Sequence, residues 1–251
     1  MRSFTTLGLA TLVAAASMAG AQAQTTLTTM ATSYIRPAGP VAAPNGTNFL
    51  DVEGGNNTTF ATFAVADFTP MANPTARTIS NLVLTLTEAD AFFTAPGTIN
   101  IYLASNDTVA TSGLTYNASQ PASGGIGTQL GTLYNLGTFS FTSTGNTNTG
   151  QVDTYTLSLA NQAAQSLFLN ELNTGSTIRL AIGGDQATPG VAATFFGATG
   201  QLKSSPNQVV APTLSFNTSA PVPEASTTAS FGLLLVLGLG GVAVARRRKQ
   251  A

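Results

Sequence analysis

The side chains that could support catalysis in this sequence are its carboxylates. The chain contains no histidine and no cysteine, which excludes Ser-His and Cys nucleophilic sites as well as zinc sites built from imidazole or thiolate. Two acidic pairs have i, i+2 spacing, Asp51 with Glu53 and Glu88 with Asp90. On a β-strand this spacing places both carboxylates on one face, where an acid and a base could hydrolyse a glycoside. Each pair also adjoins a turn, so two solvated loops are the simpler interpretation.

Calcium binding is another use for the same oxygen atoms, because Ca²⁺ is coordinated by carboxylates and carbonyls. Asp107 and Asp185 would extend the set of candidate ligands. The sequence has no Asp-x-Asp-x-Asp-Gly loop. We therefore expect no cofactor, and calcium is left open as an alternative.

Glycan binding would need an aromatic platform beside amide or carboxylate partners. The chain has five tyrosines and no tryptophan, so the sequence signal for stacking is weak. Tyr116 with Asn117, in a loop rich in Gly, Ser and Pro, is the best exposed candidate for a glycan contact. A packing role for Tyr116 is the alternative. Tyr155 alternates with core leucines and is expected to be buried.

Alternating hydrophobic residues predict that the elements which position these side chains are mainly β-strands joined by turns. After a Thr-rich lead at residues 25–32, strands are predicted at 33–36, 49–52, 58–65, 80–87, 98–104, 134–141, 153–159, 178–182, 192–196 and 212–216. One helix is predicted at 160–173, where apolar residues recur every four positions and Gly175 follows as a stop signal. About ten short Thr-rich strands with one helix favour an all-β fold, a jelly-roll-like β-sandwich.

The charge distribution argues against a nucleic-acid partner. Residues 24–220 contain four cations and nine anions, a formal charge of −5, whereas nucleic-acid binding requires a basic face. Charged residues make up only 8% of the chain, against about 25% in a typical protein. Solubility must therefore come from Thr, Ser, Asn and Gln.

The N-terminal segment has the pattern of a secretory signal peptide. Residues 1–23 combine Arg2, an apolar stretch and the small residues Ala21 and Ala23. This order of features predicts cleavage after Ala23 rather than a membrane-spanning helix.

The C-terminal segment has the pattern of a membrane anchor. Residues 228–245 contain no ionisable side chain, which predicts a single transmembrane helix. The basic residues behind it predict a cytoplasmic tail at 246–251, because positive segments resist translocation. These four cations are Arg246, Arg247, Arg248 and Lys249. We expect a β-sandwich ectodomain at 24–218 and a linker with a sorting motif at 219–227.

The C-terminal tail resembles the PEP-CTERM sorting segment of bacterial surface proteins. The motif residues are Val222, Pro223, Glu224 and Thr227. Ala225 stands where the commonest form of the motif has a second proline. The resemblance implies recognition by exosortase, a membrane-embedded protease that cuts near the motif. The motif would then be read as a substrate rather than act as an active site.

The layout of residues 30–216 is similar to that of DNRLRE-type carbohydrate-binding modules of secreted bacterial proteins. The shared features include an opening strand with Tyr34 and Arg36, a loop around Tyr116, and a closing Pro-Thr-Leu-Ser-Phe strand. Two features differ, because the family's Arg-Phe-Asp is Thr-Phe-Ala at residues 62–64 and its loop tryptophan is replaced by Tyr116. The resemblance implies a jelly-roll fold and weak glycan binding.

These observations predict a non-enzymatic protein of the bacterial cell surface or extracellular matrix. It would be secreted across the inner membrane, anchored or released after C-terminal processing, and associated with exopolysaccharide or envelope glycans. Two alternatives remain open. One is a surface glycoside-active enzyme that uses a carboxylate pair, and the other is a structural coat protein without a ligand.

Processing by exosortase would yield a mature protein that lacks the residues after about Thr227. In an exosortase-bearing bacterium, Pro223→Ala combined with Glu224→Ala should leave the tail attached, because the protease loses its motif. Ser226→Ala, which spares the motif, should be processed normally. Intact-mass spectrometry of protein recovered from the cells checks all three. A mature wild-type protein that retains residues 246–249 would indicate a plain membrane anchor instead.

Overall fold

A computed structural model describes residues 22–54, 61–89, 94–117, 125–142, 150–185, 190–202 and 205–219. These residues all belong to one compact unit, Gln22–Ala220. Within them, no helix has the length and apolar character needed to cross a membrane. The transmembrane helix predicted at 228–245 and the basic tail at 246–251 lie outside the described residues.

The described residues are predominantly β-strand, which confirms the predicted all-β class. The strands are β1 (Gln22–Thr28), β2 (Ala31–Arg36), β3 (Gly39–Pro40), β4 (Phe49–Glu53), β5 (Phe63–Phe68), β6 (Thr78–Thr87), β7 (Gly97–Ala104), β8 (Leu133–Phe141), β9 (Val152–Thr156), β10 (Ile178–Gly184), β11 (Ala192–Phe196), β12 (Gln201–Leu202), β13 (Ser205–Val209) and β14 (Thr213–Ser219). The helices are α1 (Asn45–Asn48) and α2 (Gln162–Thr174), and 3₁₀ turns lie at Thr111–Gly113 and Thr128–Leu130.

Two antiparallel sheets form the body of the unit. Sheet A has the strand order β1-β14-β6-β9 and sheet B the order β3-β2-β5-β10-β7-β8, while β4 pairs with β11 and β12 with β13. The leucines that alternate along β6 and the apolar residues that alternate along β7 belong to one hydrophobic core. The two sheets thus cover a shared core from opposite sides, as in a β-sandwich.

Sheet B is buried on both faces at its centre. Every residue of β5 and β10 is buried. On the inner face, Leu180 and its neighbours join the main core, while Phe63 and Ala181 on the outer face join a second apolar cluster. That cluster is completed by Leu114 and Leu130, which come from the connection between β7 and β8. This connection therefore acts as a cover for the outer face of sheet B.

A buried ion pair holds this cover to the sheet. Arg179 on β10 lies directly opposite Asp67 on β5 and is only 2% exposed. Its Nε donates to Asp67 Oδ1 at 2.7 Å and its Nη2 to Asp67 Oδ2 at 2.8 Å. The remaining nitrogen, Nη1, donates to the carbonyl oxygen of Val109 in the cover at 2.8 Å. One guanidinium thus joins two strands and the β7–β8 connection.

Helix α2 packs against the main core through the stripe that the sequence predicts. Ala164, Phe168 and Leu172 recur every four residues and are buried there. The Asn161 side chain caps the first turn by accepting from the amides of residues 163 and 164. Gly175 ends the helix in the left-handed conformation with φ of 75°, which glycine adopts without steric cost. The predicted helix is confirmed.

Several strands differ from the sequence-based expectation, among them β3, β12 and β13, which it lacks, and β9, which ends at Thr156 rather than at residue 159. The Thr-rich lead at residues 25–32 contains β1, which pairs with β14 along its full length. Most of β1 is solvent-exposed and Leu27 packs on the core, so its apolar signal is too weak to reveal a strand. β5 extends to Phe68, beyond the strand predicted at 58–65, because burial on both faces removes the alternation that marks strand ends.

Loss of one partner of the buried ion pair should destabilise the protein strongly. Arg179→Met leaves the Asp67 carboxylate buried without its counter-charge, at a cost of about 3–5 kcal/mol in the free energy of unfolding. The double variant Asp67→Leu with Arg179→Met should recover much of this loss, because no buried charge remains. Denaturant unfolding measures both.

The exposed Arg77 provides the matched control, since among the described residues its guanidinium donates to the carbonyl oxygens of Pro74 and Ala76 and to no carboxylate. Arg77→Met should change stability by less than about 0.5 kcal/mol. A double variant no more stable than Arg179→Met would contradict the role of charge pairing.

Candidate functional site

The Asp51–Glu53 pair lies on strand β4. Leu50 and Val52 on the same strand are fully buried in the main core. Asp51 and Glu53 alternate with them and are half-buried on the opposite face. The structure therefore places both carboxylates on one face, as the i, i+2 spacing predicts.

Threonines from two neighbouring segments hold the acidic pair. Thr194 lies opposite Asp51 in the β4–β11 ladder, and its hydroxyl donates to Asp51 Oδ1 at 3.0 Å. The Thr62 hydroxyl accepts from the amide of Glu53 at 2.8 Å and donates to the carbonyl oxygen of Asp51 at 2.9 Å. The strand and one of its two carboxylates are thus fixed by hydroxyl groups rather than by cations.

The environment of the pair favours the protonated carboxyl. Burial raises the pKa of Asp51 to about 6, and the hydrogen bond from Thr194 offsets only part of this rise. Burial, together with the charge of Asp51, raises the pKa of Glu53 to about 7. Burial and the same two carboxylates also raise the pKa of Tyr34. Near neutral pH one proton can therefore be held on Glu53 while Asp51 is largely ionised, the arrangement that general acid–base chemistry requires.

The second predicted pair is placed differently. Glu88 is 3% exposed, and its backbone amide donates to the carbonyl oxygen of Gln151. Asp90 lies outside the described residues. The interpretation of Glu88 as a solvated turn residue is wrong, because it continues the inward-facing series that Leu84 and Leu86 begin on β6.

The candidate glycan contact is more enclosed than its loop composition indicates. Tyr116 packs against the second apolar cluster, and burial raises the pKa of its hydroxyl. Gly125 lies against the Tyr116 ring so closely that an added methyl group would overlap it. The amide of Asn117 donates to the carbonyl oxygen of Gly125 at 2.8 Å. A glycan contact by Tyr116 and Asn117 stays a prediction. Tyr155, by contrast, is buried as expected.

The candidate calcium ligands do not form a cluster among the described residues. In that part of the chain no group of three or more acidic side chains comes together. Asp107 lies in the cover of sheet B, while the amide of Asp185 donates to the carbonyl oxygen of Thr98 at the edge of β7. Calcium binding stays an untested alternative.

Besides Asp67, a second buried carboxyl was missed from the sequence. Glu171 on α2 is 7% exposed, and its Oε2 has no hydrogen-bond partner among the described residues. Burial, followed by the charge of Asp107, raises the pKa of Glu171 to about 8. Glu171 lies beside Leu172 and three residues after Phe168, so it borders the apolar stripe of the helix. This spacing was the sequence signal that could have indicated its burial.

No protein-family model matches the sequence, and no curated protein matches it either.

The stability of the protein should fall as the pH rises from about 4.5 to about 8. The folded-state pKa of Glu171, about 8, exceeds the ordinary value of 4.5, so the folded chain keeps a proton that the unfolded chain releases. The resulting stabilisation is complete below about pH 4.5 and is lost as the pH passes 8. Asp51 and Glu53 act in the same direction up to about pH 6 and 7.

Glu171→Gln should therefore raise the thermal midpoint more at pH 9 than at pH 5. Asp107→Asn removes the nearby charge that opposes ionisation of Glu171, and should weaken the pH dependence without abolishing it. Melting curves recorded between pH 4 and 9 test both variants. Parallel curves for wild type and Glu171→Gln would show that Glu171 does not titrate with folding.

Proposed function

We propose that this chain is an exported surface protein that displays a non-catalytic jelly-roll domain and associates with neutral matrix or envelope glycans. The observation that carries the proposal is the outer face of sheet A. Its outward side chains carry no charge on three adjacent strands, and apart from Val83 and Val152 they are hydroxyls and amides. They include Thr85, Thr87, Thr154, Thr156, Thr213, Ser215 and Asn217. Such a surface matches the hydroxyl groups of a polysaccharide and attracts no ionic ligand.

The strand order supports the jelly-roll assignment. Eight of the ten strands in the two sheets, without β2 and β3, occur in the chain in the order β1, β5, β6, β7, β8, β9, β10 and β14. Numbered by their order in the chain, these strands lie side by side in sheet A as the first, eighth, third and sixth. In sheet B they lie side by side as the second, seventh, fourth and fifth. An interleaving of this kind is typical of a jelly roll, which has two Greek keys. β2 extends sheet B at one edge, and β4 with β11 forms a separate ladder.

The limits of the compact unit support a separate ectodomain. The unit Gln22–Ala220 lies between the leader and the sorting motif that the sequence predicts. Cleavage after Ala23 would shorten β1 by two residues and leave its pairing with β14 intact from Gln24 onward. The exosortase partnership and the membrane anchor rest on the sequence of residues 222–249.

The Asp51–Glu53 pair is the observation that favours the second candidate, a glycoside-active enzyme. Its raised pKa values suit an acid and a base. The structural role is better supported, because Thr194 and Thr62 tie the pair into the β4–β11 ladder and the start of β5. We therefore assign the pair to the fold rather than to catalysis.

Affinity electrophoresis through gels that contain laminarin, dextran, galactomannan or alginate tests this proposal. Wild-type protein recovered from the producing cells should be retarded by at least one neutral polysaccharide and should release no reducing ends from it. Asp51→Asn with Glu53→Gln should be retarded equally.

Two results would contradict the proposal. If wild type releases reducing ends and the double amide variant does not, the protein would be a glycoside-active enzyme. Migration unaffected by every polysaccharide would leave a structural coat protein.

A further inference from the structure

Strand β6 contains a bulge at Asn81. Val83 pairs with Ser215 and Ser80 pairs with Asn217 on β14, so two residues of β6, Asn81 and Leu82, face one residue of β14. Asn81 has a φ of 52° and is the only non-glycine residue with positive φ in the described part of the chain. A left-handed residue inside a strand is a local strain that needs a reason.

The bulge changes which side chains face outward. Leu82 is 3% exposed and belongs to the main core. Ser80 and Asn81 are both exposed, so two consecutive side chains project from the same side of the strand. A regular strand would have turned one of them inward.

The neighbouring strand leaves β6 at the same position. β9 pairs with β6 only between Val83 and Thr87. Beyond it, the amide of Leu157 still donates to the carbonyl oxygen of Leu82, but the amide of Ser158 donates to that of Leu136 on β8. A groove opens between the bulge and the segment that leads into α2. It is lined by Ser80, Asn81, Thr156, Ser158, Leu159 and Gln165, among others.

The groove has the chemistry of a site for a neutral polyol. None of its lining residues is charged. The side-chain amides of Asn81 and Gln165 make no hydrogen bond with the described residues, and each offers a donor beside an acceptor. Paired donors and acceptors match adjacent hydroxyl groups of a sugar ring, while Leu159 offers an apolar contact to its C–H face.

An extended peptide fits the same groove less well. The segment of β6 before Leu82 has no partner on its β9 side among the described strands, and a free edge can accept another strand. The bulge interrupts the regular spacing of its amides and carbonyls, and bulges protect edges from such pairing.

We propose that the groove beside the β6 bulge is the site where the domain binds a neutral polysaccharide chain. This proposal rests on the glycan association proposed above and adds the location of the contact. The strain at Asn81 has a use here, because it directs the amide into the groove.

Asn81→Gly and Gln165→Ala test the site in the full-length protein. Glycine tolerates the left-handed backbone, so Asn81→Gly removes the amide and keeps the bulge. With the neutral polysaccharide that retards wild type, retention of each variant should be weaker by about tenfold. A loss of this size corresponds to one well-placed hydrogen bond. Gln162→Ala on the same helix and Asn207→Ala on β13, both outside the groove, should bind like wild type. Thermal midpoints verify that every variant is folded.

The outcomes separate the two proposals. If the polysaccharide retains both groove variants as strongly as wild type, the groove assignment would be overturned and glycan association would stand. Absence of retention for wild type would overturn both. A third outcome concerns the occupant. If no glycan binds but a peptide selected from a random library binds wild type and not Asn81→Gly, the choice of a sugar as the occupant would be overturned.

Discussion

The pairing of Arg179 with Asp67 is the interaction on which the architecture of sheet B depends. The two residues are 112 positions apart in the sequence, and they meet as cross-strand neighbours at the centre of a sheet buried on both faces. The carbonyl oxygen of Asp67 also accepts from Thr29 and from the amide of Met30. The ion pair therefore links two central strands and the cover, while the backbone of Asp67 binds the β1–β2 turn. Its net stabilisation is modest, since desolvation opposes the attraction, but it specifies which segments come together.

Sheet A is built on the opposite principle. Its inner face is mainly apolar, and its outer face carries uncharged side chains, which are hydroxyl and amide groups apart from Val83 and Val152. Threonine suits this position because its branched Cβ favours the strand and its hydroxyl stays hydrated. Both faces of sheet B are buried at its centre, so the proposed glycan contact is assigned to the outer face of sheet A and its bulged end.

The local elements could be predicted from the sequence, while the contacts between distant segments could not. Leu82, Leu84 and Leu86 revealed β6 by alternation, and the spacing of Ala164 and Phe168 revealed α2. Sheet pairing depends on partners far apart in sequence, so no local pattern indicated the ion pair or the cover of sheet B. The same limit hid the bulge, because Asn81 is unusual only once β14 lies beside it. The chemistry was predicted in part: the acidic pair on β4 shares a face, but burial raises its pKa values in a way that spacing alone does not reveal.

Hydrogen–deuterium exchange with and without a neutral polysaccharide that retards the protein tests the central claim most directly. The claim is that a displayed β-sandwich contacts glycan at the bulged end of sheet A. It predicts slower exchange at the backbone amides of residues 78–82 and 156–159, with little change in the cover of sheet B around Tyr116. Protection confined to that cover, or no protection anywhere, would contradict it.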